Sequence, residues 1–422
     1  MNLPLDLSAL RSCFPALQQV DSAGRPYLYL DGPGGTQVPQ SVIAAMADYL
    51  AHYNANAHGL FATSRRTDET IDAARQAAAD FLNAPSPEEI VFGPNMTTLT
   101  FHISRALERE LRPGDEVVVT RLDHDANIAP WLRLQERGVV VRWADFHPED
   151  CTLDMEGLQG LLNERTRLVA VGYASNAVGT ITDVARIASW ARQVGAWVYV
   201  DAVHYAPHGP IDVQALGGDF LVCSAYKFFG PHLGLLWGRQ EVLERLRPDK
   251  VRPAPEKVPE RFETGTQMHE ALAGLVATVD YLADIGARYG GPFAGSFPGW
   301  HGRRLLLKAG LAAIQAYERQ LVWPLIAGLQ QVPGLRIWGI TDPSRAAERV
   351  PTVSFTMEDR TPQEIARRLG EESIFVWDGN FYALAVTERL GLEEHGGLLR
   401  VGLVHYNTAE EVDRFLEAVG RL

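Results

Sequence analysis

Cysteine is scarce in this sequence. Three of its 422 residues are cysteine: Cys13, Cys151 and Cys223 lie far apart and form no CxxC pair, which excludes a disulfide framework and suits a reducing, cytoplasmic setting. No HExxH is present, and His204 and His208, although four apart, are separated by Pro207 in a stretch that cannot stay helical; metal ligation is not expected. No apolar run approaches the roughly 18 residues of a membrane span. The N-terminus, Met1-Asn2-Leu3-Pro4, lacks a basic stretch followed by an apolar core, so the chain is expected to be neither exported nor anchored. Basic charge is also in deficit: 39 Lys and Arg against 52 Asp and Glu give a net charge of −13. With no run of Lys or Arg, nucleic acid is an unsuitable partner. No GxGxxG follows a strand and opens a helix, which argues against a dinucleotide-dependent dehydrogenase. Internal repeats and low-complexity tracts are absent.

What is present is a long, balanced chain, 46% hydrophobic and 22% charged, able to bury one large α/β core and a smaller second domain. From about Ile90 to Trp237, short β-branched runs alternate with amphipathic stretches, the pattern of a mostly parallel sheet with crossover helices. Seven strands are expected, at Glu89–Gly93, Glu116–Thr120, Val139–Trp143, Leu168–Tyr173, Trp197–Val200, Phe220–Ser224 and Gly234–Gly238. The Gly- and Pro-rich stretch 286–302 reads as a linker or mobile active-site loop. Beyond it come a long helix from Arg303 to about Gln331, strands at Leu335–Trp338, Val353–Phe355 and Leu398–Gly402, and helices at Pro362–Glu372 and Ala409–Gly420. The expected division is a large domain over 20–285 and a small α+β domain from 1–19 and 303–422.

Two residues at strand ends carry chemistry. The apolar run from Phe220 ends in Ser224-Ala-Tyr-Lys227 and a Gly/Pro turn, which brings the lysine to the carboxyl end of a strand, where open α/β sheets bind ligands. A lysine there could simply be solvated. One crossover unit upstream, however, the strand from Trp197 ends in Asp201-Ala-Val-His204. A buried carboxylate needs a cationic partner, and a protonated pyridine nitrogen answers that need while a nearby lysine forms a Schiff base with the aldehyde of the same ring. The pair points to pyridoxal 5′-phosphate (PLP) and to chemistry at the α-amino group of a small amino acid.

With these residues in hand, the chain resembles the class V aminotransferase family of fold type I PLP enzymes, most closely its cysteine desulfurase-like branch. In order, the motifs are Tyr29-Leu-Asp-Gly-Pro-Gly-Gly-Thr-Gln37, Asn95-Met-Thr-Thr98, Leu122-Asp-His-Asp-Ala-Asn127, Ala174-Ser-Asn-Ala-Val-Gly-Thr180, Asp201-Ala-Val-His204, Ser224-Ala-Tyr-Lys227, Glu263-Thr-Gly-Thr266 and Leu399-Arg400-Val-Gly-Leu-Val-His-Tyr-Asn407. The resemblance implies that Lys227 carries the cofactor and then moves the α-proton, and that Asp201 holds the pyridine nitrogen. His204 would meet the phenolic oxygen, where this branch often has glutamine. It further implies that His124 stacks on the ring, that Asn176 lies beside the phenolic oxygen and substrate, and that the phosphate sits at the helix opened by Met96 and Thr97 with help from Ser224 and Tyr226. Thr266 is expected to come from the second subunit of a homodimer. Arg400 resembles the family's clamp for the substrate carboxylate, and a guanidinium suits a planar anion because it offers two parallel donors. His58 and Gln37 are candidates for the mouth of the site, with packing or loop bonding as the ordinary alternative for each.

One departure stands out. Where the cysteine desulfurase branch carries a sulfur-accepting cysteine, this chain reads Trp377-Asp-Gly-Asn-Phe-Tyr-Ala383, with Tyr382 at the expected position. The expectation is therefore a C–S lyase-like or aminotransferase activity. An amino-acid racemase or epimerase, and a PLP protein without catalysis, remain as alternatives.

Overall fold

The computed structural model describes residues 5–422; the first four residues, on which the reading of the N-terminus rests, lie outside the described residues. A seven-stranded sheet forms the centre. Its strands are β1 (Ile90–Gly93), β2 (Glu116–Thr120), β3 (Val140–Ala144), β4 (Thr166–Gly172), β5 (Trp197–Asp201), β6 (Phe220–Ser224) and β7 (Gly234–Gly238). They lie in the order β1-β7-β6-β5-β4-β2-β3. Strands β2 to β6 run parallel, and only β7 is antiparallel to its neighbours β1 and β6. The architecture is the α/β one, with a mostly parallel seven-stranded sheet, that the strand pattern led us to expect.

Inner strands of such a sheet are apolar on both faces because helices cover both. Along β2, Val118 enters one core, with Val169, Val198 and Leu221. Its neighbours Val117 and Val119 enter the other, with Ala170, Tyr199 and Val222. Strand β3 is the edge, and there exposed and half-buried residues alternate.

A second sheet is built from β8 (Leu335–Trp338), β9 (Thr352–Met357), β10 (Trp377–Gly379) and β11 (Leu398–Gly402), antiparallel in the order β8-β9-β11-β10. Helices Pro362–Glu371 and Ala409–Gly420 flank it, each opened by a capping box, Thr361 with Glu364 and Thr408 with Glu411. That reciprocal bonding satisfies two otherwise orphaned groups at the start of each helix. The N-terminal segment joins this unit: Arg11 pairs with Glu411 at 2.8 Å, and Leu28–Tyr29 forms a parallel pair with Ile374–Phe375. The chain thus stays with the second unit as far as Tyr29, further than the expected 1–19.

The stretch 286–302 differs from expectation. Helix His269–Tyr289 runs through its first residues and a short helix occupies Gly291–Ala294, before the long helix Gly302–Leu329 begins. Two of its glycines serve packing: a Cβ on Gly286 would collide with the Leu306 backbone carbonyl and one on Gly290 would lie 2.8 Å from the Ala309 Cβ, while Gly291, Gly295, Gly299 and Gly302 face open space; on the partner helix, a Cβ on Gly310 would lie 2.8 Å from the Gly286 nitrogen. Two long helices cross there at backbone contact, which only residues without side chains permit. None of 286–302 lines the large cavity described below.

Candidate active site

A cavity of about 970 Å³ opens at the carboxyl ends of the parallel strands and is closed from above by the second unit. Its floor is built from strand ends, because that is where the backbone turns and side chains leave the sheet.

Lys227 sits in a turn just after β6. Its Nζ donates to the Pro33 carbonyl and lies 4.9 Å from the Tyr226 ring centroid. Burial, reinforced by Arg400, pushes its pKa down to about 7, although Asp201 and Asp31 pull the other way. An amine with a large fraction of free base near neutrality is a competent nucleophile toward an aldehyde.

Asp201 ends β5. Burial raises its pKa to about 7 against the pull of a hydrogen bond from the Val203 N–H, 2.9 Å long. A carboxylate so poorly compensated gains from a cation placed in the cavity beside it. Its neighbour Asp123 is also buried, with its pKa raised by burial to about 6, but it is fully engaged: it accepts from Thr120 at 2.7 Å, Asn127 at 2.8 Å and the Gly172 N–H at 2.9 Å. Asp123 thereby ties β2 to β4 and sets the turn that presents His124.

The Nδ1 of His124 accepts the Ala126 N–H at 3.0 Å, which leaves the proton of the neutral ring on Nε2. Burial, then Lys227 and Arg400, hold its pKa down at about 4. His204 is buried and neutral as well, its pKa lowered first by burial; its Nε2 bonds to Thr352 Oγ1 at 2.9 Å. Both rings line the cavity.

Helix Met96–Glu108 begins at the same floor. Asn95 Oδ1 caps the Thr98 N–H at 2.9 Å, and Ser224 Oγ accepts the Met96 N–H at 3.1 Å. Ser224 thus does the routine bonding of a strand end and still has its own hydroxyl proton to give. Thr97, between the two capped positions, is exposed into the open cavity. A helix start with unpaired N–H dipoles favours an anion such as phosphate.

Arg400, at the centre of β11, is buried and donates to the Asn176 carbonyl at 2.9 Å. Its guanidinium carbon stands 4.1 Å from the centroid of the Phe381 ring. Burial lowers its pKa to about 9, with Asp31 and Tyr226 opposing. Among the described residues, Arg400 Nε and Asn176 Oδ1 are buried without a hydrogen-bond partner. A donor and an acceptor left open on the wall of one cavity call for a polar ligand.

The loop after β10 forms the roof. Phe381 and Tyr382 both take left-handed backbone angles, φ +55° and +58°, unusual for aromatic residues and held only by surrounding bonds. Those bonds reach down into the floor: the Phe381 carbonyl accepts from Asn176 Nδ2 at 2.9 Å, and the Tyr382 carbonyl accepts the Asp125 N–H at 2.6 Å. The Tyr382 ring stacks on His124, with centroids 5.6 Å apart.

Lys227, Asp201, His124, His204, Asn176, Ser224, Tyr226, Met96, Thr97, Arg400 and Tyr382 therefore meet in one cavity. Three expected residues do not. His58 is exposed, with its Nδ1 3.1 Å from Asp68, Gln37 gives its backbone N–H to the Tyr406 hydroxyl at 3.3 Å, and Thr266 is exposed outside the cavity of this chain. Asp123, Trp377 and Phe381 also line the cavity, and each lies inside a motif whose weight in the sequence falls on another residue. The one available signal was the carboxylate beside His124 at a strand end.

The residues fit PLP: an amine of low pKa for its aldehyde, a buried acid for its ring nitrogen, a helix start for its phosphate and flanking imidazoles for its ring. No cysteine lines the cavity; Cys151 and Cys223 are buried, and burial pushes the Cys151 thiol up to about 12.

Comparison with known proteins agrees. The family model for class-V aminotransferases matches residues 28–289 and 302–415. A probable cysteine desulfurase of Streptomyces coelicolor is 32% identical, over 98% of this chain and 96% of its own. A cysteine desulfurase of Synechococcus elongatus is 34% identical, over 99% of this chain and 64% of its own longer one. The apo structure of a cysteine desulfurase from Thermococcus onnurineus superposes with a TM-score of 0.85 at 27% identity, covering 100% of this chain and 98% of the other. A lysine and a buried aspartate at neighbouring strand ends beneath a buried arginine, on a scaffold matched from end to end, make this chain a member of the class-V aminotransferase family, a cysteine desulfurase-like enzyme that uses pyridoxal 5′-phosphate.

Proposed function

We propose that the protein is a C–S lyase acting on a small sulfur-containing amino acid: with cysteine and water it gives pyruvate, ammonia and hydrogen sulfide. The observation that carries this reading is Tyr382 in the roof, where its cysteine desulfurase-like relatives are expected to place a thiol. Without that acceptor, sulfur leaves as sulfide instead of passing to the enzyme.

PLP bound at Lys227 supplies an electron sink that makes the α-proton of an attached amino acid acidic. The chain's own residues do the rest. Arg400 receives the α-carboxylate through its open Nε and the terminal nitrogens, and Asn176 Oδ1 accepts from the substrate beside it. Lys227 takes the proton from Cα. His124, neutral with its proton on Nε2, is the donor available to departing sulfur. His204 and Asp201 hold the phenolic oxygen and the pyridine nitrogen. Trp377, Phe381 and Tyr382 stand over the cavity, and the burial of Arg400, Asp201 and His204 strengthens each of their contacts.

We further infer a cytoplasmic homodimer to which Thr266 contributes across the interface. Leu60 is 94% exposed, and Phe61, Leu50 and Met268 are exposed as well; Met268 is two residues from Thr266, and Tyr49 beside Leu50 lies ring to ring with His269 at 6.1 Å. Apolar side chains so placed mark a surface that is covered in solution. Among the described residues no helix is long and apolar enough to cross a membrane, and the three free thiols suit the reducing cytoplasm.

The test incubates purified holoenzyme with cysteine, cystine, cysteine sulfinate and alanine, and measures pyruvate, sulfide and keto acid. Pyruvate and sulfide in equal amounts from cysteine, with no persulfide on the protein by mass spectrometry, support the lyase. A persulfide on any of the three cysteines overturns it. Loss of the amino group to the cofactor with the sulfur retained in the keto acid shows transamination instead. Light scattering at the concentration of the assay reads the dimer, and a monomer mass rejects it.

A further inference from the structure

Polar chemistry continues behind the cavity wall. His208 follows His204 on the same non-helical turn, and the two rings meet edge to face, 5.5 Å between centroids and 75° between planes. His208 Nδ1 bonds to Glu318 Oε2 at 2.8 Å, with side chains only 2% and 1% exposed. Glu318 reaches in from helix Gly302–Leu329. Its other oxygen, Oε1, is buried without a hydrogen-bond partner among the described residues. Burial pushes its pKa upward while His208, the His405 backbone N–H and Arg319 pull it down. His405 in turn bonds the Tyr281 hydroxyl through Nε2 at 2.6 Å. On the cavity side, His204 is faced by Arg400, Lys227 and His124, and Thr352 holds its Nε2.

A buried histidine–carboxylate pair with one oxygen left open is a poor device for stability, because desolvation of the charges offsets their attraction. A carboxylate behind a histidine does, however, orient the next ring and bias its charge. Here the next ring is His204, which lines the cavity beside Lys227.

We propose that His208 and Glu318 are positioning residues acting through His204: together they hold that ring toward the cofactor's phenolic edge, and the buried Glu318 carboxylate, through the orientation it imposes on the neutral His204 ring, sets the pH at which the Lys227 nitrogen, once joined to the cofactor, releases its proton. The proposal rests on the PLP reading above. Its sign follows from electrostatics. An anion behind His204 stabilises positive charge at the ring and at Lys227, so its removal lets the proton go at lower pH.

The experiment is a pH titration of the absorbance of the holoenzyme, which reads protonation at Lys227 without turnover. Glu318→Gln keeps the shape and removes the charge; the midpoint falls by about half a pH unit or more. In a His204→Gln background the same substitution moves it by less than half as much, since the imidazole whose orientation relays the charge is gone and only the direct through-space part remains. His208→Gln is the second variant, used in the same pair of backgrounds if Glu318→Gln does not fold. A protein that is coloured and bleached by borohydride, but whose midpoint stays within about 0.1 unit in these variants while only its melting temperature falls, shows a structural role and overturns the proposal. A wild-type protein that never takes up colour removes the PLP reading, and this inference with it.

Discussion

The ring of Tyr382 lies over the ring of His124, 5.6 Å between centroids and 22° from parallel. One belongs to the roof, the other to the floor. Their contact, together with the bonds from Asn176 and Asp125 to the same loop, fixes the roof to the catalytic surface.

Removing that ring tests its role. Tyr382 is 75% exposed, so Tyr382→Ala costs little stability, under about 0.5 kcal/mol. The cover of His124 is lost, and kcat/KM falls several-fold with the cofactor spectrum unchanged. Steady-state kinetics and chemical denaturation read the two effects, and unchanged kinetics would show the stack to be idle.

Lys227→Ala abolishes the borohydride-stable link to PLP and lowers turnover by about three orders of magnitude or more. Intact mass after reduction is the measurement. A cofactor still fixed to the protein in this variant would move the site elsewhere.

The low pKa of Lys227, about 7, predicts the pH dependence of cofactor uptake. Below that value the amine is protonated and cannot attack the aldehyde; above it the free base predominates. The rate at which the apoprotein captures PLP therefore rises about tenfold per pH unit below neutrality and levels off above about pH 8. Stopped-flow absorbance reads this, and a rate flat between pH 6 and 8 contradicts it.

Arg400→Lys keeps a positive charge and gives up the planar fork. Loss of one charge-assisted bond to the substrate carboxylate raises KM about tenfold or more, while PLP stays bound. Equal KM values for the two proteins would remove Arg400 from substrate binding.

Far from the cavity, Gly286→Ala forces a methyl group into the Leu306 backbone. The two long helices must separate, at a cost of about 2–3 kcal/mol. The urea midpoint drops accordingly, and a midpoint equal to wild type would mean that the crossing relaxes freely.

Much of this was legible in the order of residues. The strands at Glu116–Thr120, Phe220–Ser224, Gly234–Gly238 and Leu398–Gly402 end where their apolar runs end, because inner strands advertise burial on both faces and turn residues punctuate them. Lys227 and Asp201 could be found for the same reason: each stands at the polar end of an apolar run, and strand ends converge. At Gly286 and Gly290 the sequence was ambiguous, since close helix packing and a flexible loop select the same residue and only the partner helix distinguishes them.

Sequence alone therefore determined the sheet and marked the lysine and the aspartate at its strand ends, all local consequences of pattern. Only the tertiary structure decided that Tyr382 stacks on His124, that Asp123 braces two strands, and that Glu318 stands behind His208. Those contacts join residues distant in the chain, and a pairing across that distance leaves no periodic trace in a linear sequence.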